Sequence, residues 1–156
     1  MKRDFAQRFG FLVNDVSKLY GEQFDRLARE RIGLSRAQVR LLGALAMNGE
    51  DAPLSQTELA QRLGLSAMAV GGLCDRMVAA GWVRREPSAT DRRVNLIQLE
   101  PRAGKALDAA LTISDALQAR TLSALEPAER TQLLALLGKV RRGLLAGAQA
   151  SAEGQA

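Results

Sequence analysis

The chain has 156 residues, enough for one domain or two small ones with a real core. Ala, Leu, Arg and Gly dominate while aromatics make up only 4%, a mainly helical composition; the net charge of +5 points to polyanionic partners rather than to a fold. A lone cysteine, Cys74, and no histidine exclude an intramolecular disulfide and leave a Cys/His zinc site without ligands.

The charge is uneven. Residues 1–40 carry nine Lys/Arg against five Asp/Glu, residues 101–156 seven against five, and residues 41–100 six against seven. The arginines of the middle stretch are therefore local clusters rather than a basic field. At the N-terminus, "MKRDFAQRFGFLVNDVSK" has charges interrupting every apolar run, so neither a signal peptide nor a membrane span is expected and a soluble, cytoplasmic protein is.

Phe5, Phe9, Leu12, Val13, Val16, Leu19, Tyr20, Phe24 and Leu27 recur at helical spacing and predict a long amphipathic helix over residues 4–31. Ser35 with Gln38 is a capping-box pattern that starts a second helix running to Met47, and Ser55 with Glu58 repeats it before "QTELAQRL". "GLS" is a tight turn, and Ser66 can N-cap a fourth helix ending near Gly81. "WVRRE" and "VNLIQL" read as two strands of a hairpin whose loop bears arginines. Pro101 opens a fifth helix with Leu107, Ala110, Leu111, Ser114 and Leu117 on one face, and Pro127 opens a sixth; a small-residue tail over 148–156 is expected to fray.

The order α-α-α-α-β-β-α-α is that of a winged helix-turn-helix with helical arms. Two short helices joined by a tight turn let the second project into a major groove while the first spans the backbone. An arginine-bearing hairpin loop beside them can reach the neighbouring minor groove. Read alone, the same arginines are equally a solvated hairpin rim.

The stretch "SQTELAQRLGLSAMAVGGLCDRMVAAGWVRREPSATDRRVNLIQLEPRAG" resembles the multiple-antibiotic-resistance regulator (MarR) family of winged-helix regulators. The likeness extends to the long first helix, to "LSRAQVRLL" and to the two C-terminal helices. Its most specific piece is "DRM", "GWV" and "RRE" followed by Asp91-x-Arg93. The resemblance implies a homodimer built by the N- and C-terminal helices (1–34 and 101–147) around a DNA-binding domain over 35–100. It also implies a pseudo-palindromic double-stranded DNA operator, released by a small aromatic or phenolic ligand; a constitutive or architectural DNA binder without a ligand is the alternative. By position, Arg93 matches the wing arginine of the minor groove, Asp91 the acid that orients it, and Arg92 a phosphate contact.

The fourth helix departs from the family pattern. Val70, Leu73 and Met77 should face the core, leaving Ala67, Met68, Gly71, Gly72 and Asp75 outward, with Ser66 and Arg76 as the only donors. Two readings of Gly71 and Gly72 stand: close approach of helix and DNA, or tight packing against another helix. Cys74 falls inward as a core thiol, and Trp82 packs at the hairpin base. With no cofactor or metal motif, an enzyme is not expected.

Overall fold

The computed structural model describes residues 5–49, 52–91 and 93–153. Its elements are α1 (Phe9–Ile32), α2 (Arg36–Ala46), β1 (Leu54–Ser55), α3 (Gln56–Leu63), α4 (Ala67–Ala79), β2 (Val83–Pro87), β3 (Asn95–Leu99), α5 (Arg102–Thr121) and α6 (Pro127–Glu153). By contact they form two compact units, Met1–Leu117 and Gln118–Ala156. The fold is a mainly helical winged helix with a small antiparallel sheet.

Both capping boxes form. The Ser35 amide donates to Gln38 Oε1 at 2.8 Å while the Gln38 amide donates to Ser35 Oγ, and Ser55 with Glu58 repeats the exchange, again at 2.8 Å for the first bond. Each box satisfies two donors that a bare helix start leaves unpaired. Between α3 and α4 the chain turns through Gly64 at φ 64°, a left-handed conformation that a side chain would strain. Ser66 then accepts from the Ala69 amide at 3.2 Å and starts α4.

Three details differ from the sequence reading. The sheet has a third strand: β1 pairs with β3, giving the order β1-β3-β2, with Leu54 opposite Ile97 and Arg85 opposite Ile97 from the other side. Two residues are too short to show a period of two, and Ser55 carries a helix-start signal at the same place. The α5 face is also rotated. Ala103, Ala106, Ala110, Ile113 and Leu117 are buried, whereas Leu111 is 63% exposed. Finally, α6 extends to Glu153, beyond Gly147, and its alanines favour helix.

The core of the winged module is one cluster built on Leu41, Leu42 and Leu45 of α2, Leu59 of α3, Val70, Leu73 and Met77 of α4, and Val83 and Ile97 of the sheet. Burial of each large aliphatic side chain is worth about 1.5–3 kcal/mol. Within the first unit, α1 lies beside α5, where the Tyr20 hydroxyl reaches the Ser114 carbonyl at 3.5 Å. The opposite pattern holds at the chain ends. Phe9, Phe11, Val16 and Leu19 of α1 are more than half exposed, as are Leu144 and Leu145 of α6. No helix among the described residues is long and apolar enough to cross a membrane.

Candidate nucleic-acid interface

Helical periodicity sorts α4 into two faces. Val70, Leu73, Cys74 and Met77 are buried, and Ala67, Met68, Asp75 and Arg76 are exposed, Met68 at 87%. Ser66 spends an oxygen lone pair on its cap, which leaves the hydroxyl proton free to donate at the front of the helix. Gly71 and Gly72 sit on the half-exposed flank. A Cβ at Gly71 would meet nothing within 4 Å, and one at Gly72 would touch only the end of Arg76 at 3.5 Å. Packing within the chain therefore does not require either glycine, which removes the helix-packing reading inside one chain.

The four wing arginines differ in their partners. Arg84 donates to Glu86 at 2.7 Å and to the Leu99 carbonyl at 3.2 Å, and lies 3.9 Å from Glu100. The Glu86 carboxylate beside it raises the Arg84 pKa further. Arg85, on the alternate face of β2, reaches α4 and donates to Asp75 at 2.6 Å. Asp75 thus serves the protein rather than facing out alone. Sequence spacing assigns both arginines to a strand; only the packing of β2 on α4 supplies their carboxylates.

Arg93 is different. Its side chain is 90% exposed, and its guanidinium forms a forked pair with Asp91, Nε to Oδ1 and Nη2 to Oδ2 each at 3.2 Å. Asp91 Oδ1 also accepts the Arg93 amide at 3.0 Å. The Arg93 side chain, then its backbone amide, hold the Asp91 carboxyl below the usual range. Ser88 organises the loop behind them: its hydroxyl accepts from the Thr90 amide at 3.3 Å and the Asp91 amide at 3.4 Å. Sequence reasoning passed over Ser88, although a serine before "ATD" is a turn signal. Arg92, the expected phosphate contact, lies outside the described residues.

At the hairpin base the Arg102 guanidinium stacks 3.9 Å above the Trp82 ring and donates to the Ala80 carbonyl at 2.9 Å, so Trp82 is a packing residue. Cys74 is fully buried, and burial pushes its thiol pKa up. Among the described residues no group of three or more His, Cys, Asp or Glu side chains could hold a metal ion.

Residues 32–94 match the model of the MarR family. The HTH-type transcriptional regulator PecS of Dickeya dadantii (strain 3937) is 28% identical over 133 residues, covering 85% of this chain and 80% of PecS. Wild-type MarR of E. coli in its apo form superposes with a TM-score of 0.77 at 22% identity, over 85% of this chain and 96% of that one. BpsR of Bordetella bronchiseptica, whose DNA binding is regulated by 6-hydroxynicotinic acid, superposes with a TM-score of 0.74 at 22% identity, over 90% and 98% of the two chains. The structures share the fold, and the sequence matches are to transcriptional regulators rather than enzymes. With a winged helix spanning the matched residues, the chain is similar to MarR family regulators in sequence over residues 32–94 and in fold over most of its length.

Proposed function

We propose that the protein is a homodimeric, sequence-specific transcriptional regulator of the cytoplasm, a repressor of a pseudo-palindromic operator released by a small aromatic or phenolic ligand. The observation that carries the DNA half is the pairing of an unobstructed α4 face with Arg93, 90% exposed and held outward by Asp91. The front of α4, at Ser66, Ala67 and Met68, enters the major groove. Gly71 and Gly72 let the helix approach closely, and Arg76 meets the backbone from the flank. Base readout then leans on thymine-methyl contacts and groove shape, because the helix offers few donors. Arg93 enters the adjacent minor groove and Arg92 meets a phosphate.

Exposed apolar rows on α1 and α6 support the dimer, since a monomer would leave them in water. Two-fold symmetry would set the α4 helices about 34 Å apart, one turn of DNA. The control of BpsR by an aromatic acid supports a similar effector here, acting by favouring a spacing of the two modules that does not fit the DNA. Footprinting on a duplex selected from a random pool, with sedimentation of the free protein, tests the reading. A two-fold symmetric footprint and a dimer are expected; a single asymmetric half-site bound by a monomer would overturn it. Aromatic acids that raise the melting temperature and release DNA would identify the effector class.

A further inference from the structure

The stretch that holds α3, α4 and the wing is electrostatically poor for a DNA binder. Residues 41–100 carry six cationic against seven acidic side chains, and Arg84 and Arg85 are both engaged by carboxylates. The positive charge lies elsewhere, in residues 1–40. The structure gathers it: Lys18, Arg26, Arg29, Arg36 and Arg40 line one open groove between α1 and α2, against Glu22 and Asp25 alone. Leu65 of the turn into α4 lines the same groove, immediately before Ser66.

The groove is built around Arg36. Its guanidinium packs against α1 at Gly21, where an added Cβ would meet it. The Arg36 amide donates to Asp25 at 2.7 Å, which fixes the start of α2 against α1, while the remaining carboxylate oxygen takes Arg29, also at 2.7 Å. Asp25 is thereby used, and neither the Arg36 guanidinium nor the Lys18 ammonium has a carboxylate within ion-pair distance among the described residues. Arg40 donates one N–H to the Leu63 carbonyl at 2.9 Å, at the end of α3, and keeps its other donors. Lys18 and Arg40 without an ion pair, and Arg36 acting on Asp25 only through its charge, lie beside the turn that leads into the helix proposed to enter the groove and suit phosphate oxygens.

We infer that the α1–α2 groove is a second DNA-backbone surface, in which Lys18, Arg36 and Arg40 take phosphates flanking the major groove occupied by α4. The inference rests on the DNA-binding reading above and adds a surface beyond α4 and the wing. It gives affinity without sequence information, since phosphates are alike, and so complements an α4 face with few donors.

The test compares the parent with Lys18→Gln/Arg36→Gln and, as a separate arm, Arg93→Ala, on the duplex the parent selects from a random pool. Each phosphate contact contributes about 0.9 to the slope of log affinity against log salt, so the double variant should lower the slope by about 1.8. Raising salt from about 50 to 200 mM should then narrow the affinity gap between parent and variant about twelvefold. The preferred sequence should not change. An unchanged slope overturns the groove alone if Arg93→Ala still weakens binding; a parent that selects no duplex overturns both readings. Inorganic phosphate or benzoate that raises the melting temperature of the parent but not of the variant, with the slope unchanged, would make the groove a small-anion site and overturn the inference. If Arg36→Gln disturbs folding, Lys18→Gln alone, on the surface of α1, should lower the slope by about 0.9.

Discussion

The Arg85 guanidinium and the Asp75 carboxylate meet at 2.6 Å and tie wing strand β2 to helix α4. The pair joins the two elements proposed to read DNA in neighbouring grooves. Its Asp75 end is 64% exposed, so its contribution to folding is that of a surface pair, up to about 1 kcal/mol. Its larger consequence is geometric.

Asp75→Asn separates two roles by the sign of its effect. If Arg85 holds the wing at its angle to α4, the variant binds the selected duplex about fivefold more weakly, roughly 1 kcal/mol, while its melting temperature falls by no more than about 4 °C. The loss comes despite removal of a negative charge from the DNA side. The exchange Asp75→Arg/Arg85→Asp should recover most of it. Tighter binding by Asp75→Asn would instead make Arg85 a phosphate contact that Asp75 competes for.

Gly71→Ala and Gly72→Ala should move stability and DNA binding in opposite directions. Neither added methyl group meets an obstacle inside the chain, so each should stabilise folding by about 0.5–1 kcal/mol, read by urea unfolding. Each should also weaken operator binding, because the methyl group separates α4 from the base edges. A variant that gains stability and keeps the affinity and sequence preference of its parent would sink the close-approach reading.

The Asp91–Arg93 pair predicts a wing insensitive to pH across the neutral range. Asp91 has a lowered folded pKa, so its contribution is complete above its ordinary value of 3.8 and is lost as pH falls through the lower folded value. Operator binding should therefore show no titration of Asp91 between about pH 5 and 9. Asp91→Asn keeps the amide bond but removes the charge; it should weaken binding less than Arg93→Ala, which also lowers the salt slope by about 0.9. A pH midpoint near 6 that vanishes in Asp91→Asn would contradict the assignment.

Cys74 should be silent in the folded protein. It is fully buried and its thiol pKa is raised by desolvation, so little thiolate exists at neutral pH. A disulfide reagent such as 5,5′-dithiobis(2-nitrobenzoate) should label it only at the rate of unfolding, and completely in denaturant. Rapid labelling of the native protein would show that α4 opens, and with it the face that reads DNA.

Much of this protein was legible before its structure. Ser35 with Gln38, Ser55 with Glu58, Ser66 before α4 and glycine in the turn act over three or four residues, and a local signal survives in the sequence whatever lies around it. Periodicity separated Val70, Leu73 and Met77 from the outer face of α4 for the same reason. Position also singled out Asp91 and Arg93, and their hydrogen bonds span only two residues.

Tertiary structure decided what depends on separate parts of the chain. Arg85 and Asp75 are ten residues apart and meet only because β2 packs on α4. The two-residue β1 exists only because β3 offers it an edge, and the buried face of α5 was set by which neighbours it could approach. The basic groove brings Lys18, Arg36 and Leu65 together from two helices and a turn. In the sequence it left only an excess of charge over residues 1–40, because composition records how many cations there are and folding alone decides which of them face the same ligand.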